Sequence, residues 1–528
     1  MNRRQFLGAS FYSSLLLGSG ALPRFVNEAH AEFRPLTERM LVNLMLDGGP
    51  DIRHLIVPAY EAGTQTVGNK YWKNRWRAHR LPDDNEATLE QRWDDDYFKI
   101  TVGGSNWNGN GLVDSGSKNS GVTFGIWKEA GWLIEMFLQG NVAICSNAVG
   151  GENRNHSHST VIMEQGNLTA GSNELDHSGW GGRLARQAGG KPVSLTNTPR
   201  AFCFGPDGNN PAAINNIDLI SVQNSRSFGL YATDNTEERI YDRRQKMASS
   251  LQQYYAALAQ ENLNTDVYEK FMDHESKIRE FGRLIDARLD FDEPLLIRGL
   301  HSDRDSNGDD HSLNNAPDGS ARRVLRSSSF GRQIRNLYDV LASNDLLDLR
   351  VASMSYGGWD THANQRRFGN VNDINDPGSS RGIESNFKDI FGGPYSDRPN
   401  DLHGGFSALW QNLNQVDKDK IVINIAGEFG RQIRDNGDLG TDHGKGNVMF
   451  LIGEGVNGGL YGDLFPASEI AKLDDSSIRT PDIDPETDLG YIFGAACDWV
   501  EANSSTSVFK SSDRVKLETN VSFNNILS

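Results

Sequence analysis

Apolar residues in this chain gather in five short runs, at 41–46, 142–145, 349–354, 421–426 and 448–452, and none of them alternates with polar residues. Such unbroken runs predict strands covered on both faces, the pattern of a parallel sheet between layers of helices. Amphipathic stretches lie between them. Leu402, Phe406, Leu409, Trp410 and Leu413 share one helical face, with Asp401 as the candidate N-cap. Strands alternating with helices predict an α/β fold. From 236 to 291 the chain is charged and free of breakers, with Tyr268, Phe271, Ile278, Phe281 and Leu284 at helical spacing, and a further helix is predicted over 321–343. Residues 236–343 therefore read as a helical insertion within one domain spanning 32–528. The Gly/Asn-rich stretches 104–122 and 363–400 read as surface loops.

The first 31 residues carry a different signal. Arg3-Arg4 precede an apolar run from Phe11 to Leu22, and Ala29-His30-Ala31 offers small residues for cleavage. This predicts a twin-arginine signal peptide, handled by the twin-arginine export machinery, and a periplasmic or secreted protein. The run is too short to span a bilayer, which needs about 20 apolar residues, and no later segment is long enough. Composition sharpens the picture. Among 528 residues, 53 Lys+Arg stand against 70 Asp+Glu, a formal charge of −17, and loss of Arg3, Arg4, Arg24 and Glu28 would take it to about −19. An acidic chain is a poor partner for a phosphate backbone, so nucleic-acid binding is not expected. Three widely spaced cysteines, Cys145, Cys203 and Cys497, make neither a disulfide scaffold nor a metal knuckle.

Chemistry collects just after the apolar runs. Asp47-Gly48-Gly49-Pro50-Asp51 follows the first, Arg154-Asn155-His156-Ser157-His158 the second, Gly358-Trp359-Asp360-Thr361-His362 the third and Gly427-Glu428-Phe429-Gly430-Arg431 the fourth, while Thr441-Asp442-His443 precedes the fifth. Ligands of open parallel sheets bind beyond the carboxyl ends of the strands. Carboxylates and imidazoles gathered there suit a divalent metal. Singly, each piece has a plainer explanation: Asp-Gly-Gly as a turn, Asp360 as a helix cap, Glu428 as an ion-pair partner of Arg431. Recurrence after four strands favours the metal reading.

The same motifs, with Ser178-Gly179-Trp180-Gly181-Gly182-Arg183-Leu184 and the continuation to Gln365, appear together and in order over residues 40–465. The chain resembles the bacterial secreted family called domain of unknown function 1501, an alkaline-phosphatase/sulfatase-like group. That resemblance implies a mostly parallel central sheet flanked by helices and a metal-dependent hydrolase of phosphate or sulfate esters. It implies metal ligands at Asp360, His362, His443 and Glu428, at Asp51 or alternatively Asp47, and at Asp442 either as a ligand or as the support of His443. Zinc is the expected ion, with manganese, magnesium or calcium as alternatives. Ser157, ahead of a short helix at 160–165, is the expected nucleophile. It stands among Arg154, His156 and His158, with Arg154 or Arg431 clamping the anion. Relatives carry a serine where this chain has Asn155. The implied substrate is a small anionic ester or a sulfated or phosphorylated glycan. A non-catalytic metal- or glycan-binding protein on the same fold is the alternative.

Two further features stand apart. Asp303 to Asp309 resembles half of a calcium loop, but Asn314 stands where the bidentate Glu belongs, so a solvated acidic turn is the simpler reading. Trp72, Trp76 and Trp93 suit either a sugar-lining surface or core packing.

Overall fold

The computed structural model describes residues 35–61, 66–79, 88–104, 107, 113–115, 121–149, 151, 154–171, 177–206, 214, 216, 218–223, 225, 329–366, 382–401, 403–509 and 525–528, with isolated positions between 250 and 297. The predicted signal peptide, the acidic turn at 303–309 and most of the predicted insertion lie outside these residues. Fourteen strands are described: β1 (Met40–Asp47), β2 (Ile56–Pro58), β3 (Tyr97–Thr101), β4 (Val113–Ser115), β5 (Thr123–Trp127), β6 (Val142–Val149), β7 (Lys191–Ser194), β8 (Ile220–Ser221), β9 (Leu349–Gly357), β10 (Ile421–Gly427), β11 (Gly430–Asp435), β12 (Thr441–Gly444), β13 (Gly446–Ile452) and β14 (Gly459–Tyr461). Nine form one sheet in the order β4-β14-β6-β13-β10-β1-β9-β7-β8.

β1 shows why the apolar runs are unbroken. It lies between β10 and β9, parallel to both, with Leu44 opposite Ile425 on one side and Met354 on the other. Successive side chains face opposite ways. Val42, Leu44 and Leu46 therefore enter one apolar cluster, and Leu41 and Met45 enter a second. The first is closed by Ser329–Ala342, Ile383–Phe391 and Gly405–Asn412, the second by His156–Gln165, Trp180–Gln187 and Leu489–Val500. The fold is α/β, as expected. Cys145, Cys203 and Cys497 are free and buried.

Four expectations are corrected. β13 runs antiparallel to both β10 and β6. An apolar run does not reveal strand direction; the connection does. Between β10 and β13 the chain makes only the β11–β12 hairpin, and a connection of that kind returns the strand antiparallel. The helix expected from Asp401 begins at Gly405 with Gly404 as N-cap, because the Asp401 carboxylate is drawn to Arg398 at 2.9 Å. The stretch 363–400 contains a buried helix, Ile383–Phe391, whose Ile383, Phe387, Ile390 and Phe391 are hidden by polar flanks in the sequence. The stretch 104–122 contains β4, which pairs with β14. Ser329–Ala342 is the helix predicted at 321–343, and Phe330, Ile334 and Leu337 anchor it in the main core. Trp72 and Trp93 are core residues, so neither makes a sugar platform, and Trp76 is partly buried against the core.

A polar layer is buried beside β11. Both oxygens of Asp51 are occupied, one by Arg75 at 3.0 Å and the other by Arg75 at 2.8 Å and Gln365 at 2.8 Å. His54 stacks on His79 with centroids 4.4 Å apart and contacts Glu384 at 3.1 Å. Burial lowers the pKa of both histidines, and for His79 the adjoining His54 ring and the Arg92 guanidinium lower it further. A histidine with a depressed folded pKa adds stability above its unfolded value near 6.5 and loses it as pH falls. Unfolding free energy should therefore decline below about pH 6.5, by up to ~1.4 kcal/mol per pH unit for each histidine. Carboxylates such as Glu384, whose pKa is held low by Arg366 and Arg92 against its burial, titrate below that window. Urea midpoints between pH 7 and 5 measure it, and a flat profile would refute neutral burial.

Candidate metal centre

The carboxyl ends of β1, β6, β9 and β10 and the β11–β12 hairpin meet at one place. β9 ends at Gly357, and Gly358, at φ +92°, turns the chain into Trp359. Trp359 is wholly buried and donates its indole N–H to the Tyr356 carbonyl at 2.8 Å, which pins the loop carrying Asp360 and His362. β12 delivers Asp442 and His443, and β6 leads to the helix His156–Gln165. Gly48 closes against the Asp360 backbone: at φ +124° an added Cβ would lie 2.5 Å from the Asp360 nitrogen. That close approach gives the glycine after Asp47 its physical reason.

Three imidazoles face one carboxylate. His362 Nε2 lies 2.9 Å from Asp360 Oδ1, His443 Nε2 lies 3.0 Å from the same oxygen, and the two Nε2 atoms are 3.0 Å apart. His156 Nε2 is 3.5 Å from Asp360 Oδ2 and has no hydrogen-bond partner although it is buried. Each histidine uses its other nitrogen on an acceptor. Nδ1 of His156 meets Glu428 at 2.8 Å, that of His362 meets Asp442 at 3.0 Å, and that of His443 meets the Arg154 carbonyl at 2.9 Å. Those acceptors place the proton on Nδ1 and leave every Nε2 bare. Bare nitrogens 3.0 Å apart repel unless a cation or a proton lies between them. Metal–nitrogen bonds of about 2.0–2.1 Å bring neighbouring ligands to roughly that separation. The donors His156, Asp360, His362 and His443 therefore fit a divalent ion, with carboxylates and a carbonyl behind the histidines as a metal site requires.

Electrostatics keep these donors ready. Burial would raise the Asp360 pKa, but the contact with His443 and the hydrogen bond and charge of Arg431 outweigh it and hold the group at about 2. Burial, with Arg431 assisting, lowers the His443 pKa and keeps the imidazole neutral. Asp442 is also held low, by Asn436 and His362 acting against burial. About half of Asp360 is exposed, as is 43% of the His362 side chain, so the centre opens to solvent on one side.

The remaining predicted residues are placed differently. Glu428 points its carboxylate at His156 and at the backbone N–H groups of Gly48 (2.8 Å) and Gly49 (3.1 Å), behind the centre. Asp442 stands behind His362, not His443. Asp51 is not brought to the centre, because Arg75 and Gln365 saturate it, and Asp47 pairs both oxygens with Arg200 at 2.9 Å. His158 turns to the Ala170 carbonyl at 2.6 Å. Ser157 is exposed in the first turn of the helix, which begins at His156 and not at 160. Neither arginine is free to clamp an anion. Arg154 pairs with Asp482 at 2.9 Å, and Arg431 is buried among carbonyls and Asp360. What Arg154 brings to the centre is its carbonyl, presented from a left-handed φ of +58°.

Asn155 is the N-cap of this helix, accepting from the His158 N–H at 3.1 Å. Asn and Ser rank alike there, so a serine at this position fits the same geometry. Asn155→Ser should leave the urea midpoint nearly unchanged, and Asn155→Ala should cost ~1 kcal/mol. Equal losses in both variants would show that the cap is not what Asn155 supplies. Gln365 was not singled out by the sequence. Its amide joins Asp51 to Thr441 (2.8 Å) and Thr361 (3.3 Å), fixing the two loops that carry Asp360, His362 and His443.

No curated protein matches the chain. The family model described as protein of unknown function (DUF1501) matches residues 346–474, the segment that carries Asp360, His362, Glu428, Arg431, Asp442 and His443 and leaves His156 outside.

Proposed function

We propose that this protein is a metal-dependent hydrolase of phosphate or sulfate esters, similar to the alkaline-phosphatase/sulfatase group, that holds one divalent ion on His156, Asp360, His362 and His443. The observation that carries this reading is the set of three bare Nε2 atoms facing one carboxylate at a site half-open to solvent. Three imidazoles favour zinc or manganese over magnesium and calcium, which prefer all-oxygen sites. A bound ion would act as a Lewis acid, withdrawing charge from the ester oxygens and lowering the pKa of water. The chain supplies the rest. Glu428, Asp442 and the Arg154 carbonyl orient the imidazoles, Arg431 fixes Asp360, and the N-terminus of His156–Gln165 favours negative charge near Ser157. The Arg3-Arg4 leader supports export by the twin-arginine route, which carries folded proteins with their metals in place.

One observation favours the alternative, a non-catalytic metal- or glycan-binding protein: Arg154 and Arg431 are both engaged elsewhere, so neither expected arginine is left to clamp an anion. One experiment separates the two. Natively purified protein should contain about one equivalent of zinc or manganese, hydrolyse an aryl phosphate or aryl sulfate, lose activity to a chelator and regain it with the ion. Fully loaded protein that is inert toward aryl phosphates, phosphodiesters and sulfates would refute the hydrolase reading.

A further inference from the structure

A cavity of about 450 Å³ opens at the carboxyl ends of β7 and β9, on the far side of β9 from β10. That volume lies within the 300–1,000 Å³ usual for small-molecule sites. Most of its lining residues are polar by type, with Leu195, Pro199 and Ala201 as the apolar ones and no aromatic ring. The wall is built and rigid. Gln333 clamps the Ser355 backbone in both directions, at 2.8 and 2.9 Å, and Arg200 is fixed between Glu164 and Asp47. Four lining side chains, those of Thr160, Asn197, Thr198 and Arg332, make no hydrogen bond or ion pair among the described residues. They offer two hydroxyls, one amide and one unpaired guanidinium.

The same helix joins this cavity to the metal centre. His156 belongs to the centre, while Thr160 and Glu164, four and eight residues on, line the cavity. Residues four apart share a helix face, and a rise of 1.5 Å per residue puts them about 6 and 12 Å along the axis from His156. Gly357, at the cavity edge, is three residues from Asp360. The cavity and the centre thus share one helix and the chain that leaves β9.

We infer that this cavity is a recognition subsite for a hydroxyl-rich, singly anionic group of sugar-acid type. Thr160, Asn197 and Thr198 would bond its hydroxyls, and Arg332 its charge. The assignment as a subsite rests on the proposed centre; the binding itself does not. A neutral polyol would leave Arg332 without a partner, and a dianion would meet the carboxylate of Glu164, which lines the cavity.

Calorimetry on the full chain with D-glucuronate, D-glucose and succinate tests the inference, with and without chelator. Glucuronate should bind at least about tenfold more tightly than either other probe, the ratio expected from one charge-assisted hydrogen bond. Asn197→Ala and Arg332→Ala, both at exposed positions, should each weaken glucuronate about tenfold, and Arg332→Ala should leave glucose unchanged. Absence of glucuronate binding, or affinity unmoved by both variants, overturns the inference. Glucuronate binding retained after chelation in a protein inert toward esters would refute the hydrolase and leave the cavity assignment standing. Ester hydrolysis without glucuronate binding would do the reverse.

Discussion

Replacing His443 by alanine is expected to lower divalent-metal affinity by more than ~100-fold, because loss of an orienting group behind a ligand already costs 10–100-fold. His443 occupies the middle of the arrangement: its Nε2 lies 3.0 Å from both Asp360 Oδ1 and His362 Nε2. Its removal leaves a three-donor set open on two sides and frees the Arg154 carbonyl that fixed its ring. Competition with a chromophoric chelator gives the affinity, and circular dichroism reports whether the fold survives. Glu428→Gln and Asp442→Asn should fall between wild type and His443→Ala, at 10–100-fold, since each acts through the histidine in front of it. Ser157→Ala should leave affinity unchanged while removing ester hydrolysis if that hydroxyl is the nucleophile. Unaltered affinity in His443→Ala would sink the metal centre, whatever became of activity.

The same variants separate what residue type discloses from what it conceals. Asp360, His362 and His443 could be singled out because carboxylates and imidazoles beyond strand ends are the raw material of a metal site. Which of them converge was not legible. Glu428 and His156 are 272 positions apart, and their 2.8 Å contact depends on how two loops settle after folding. Asp51 illustrates the converse. It lies near a strand end in the right motif, yet Arg75, on a helix with no apparent connection to it, takes both its oxygens. The buried strands were legible because burial on both faces leaves an apolar run. The direction of β13 was not, because connection geometry and not composition decides it.

Arg431 is expected to carry a large stability effect. Arg431→Met should lower unfolding free energy by about 3–5 kcal/mol, the cost of breaking a buried charged network from one side. The guanidinium is wholly buried, and all three nitrogens are used. Nε donates to Gly49 O at 2.6 Å and Nη1 to Thr441 O at 2.8 Å. Nη2 reaches Gly48 O at 2.6 Å, Trp359 O at 3.0 Å and Asp360 Oδ1 at 2.8 Å. These acceptors belong to the loops after β1 and β9 and to β12, so one side chain ties three separate segments together. Burial lowers its pKa, and Asp360 is the nearest charge that opposes this. Methionine fills the volume but leaves four carbonyls and a carboxylate unpaired, at about 1–3 kcal/mol for each group that water fails to reach. Lysine restores the charge with only three donors on a compact head, so Arg431→Lys should recover part of the loss and not all of it. Urea denaturation of both variants at pH 7 checks the order. A loss below ~1 kcal/mol in Arg431→Met would mean that solvent reaches those carbonyls. The tether would then not be what holds Asp360 against the imidazoles.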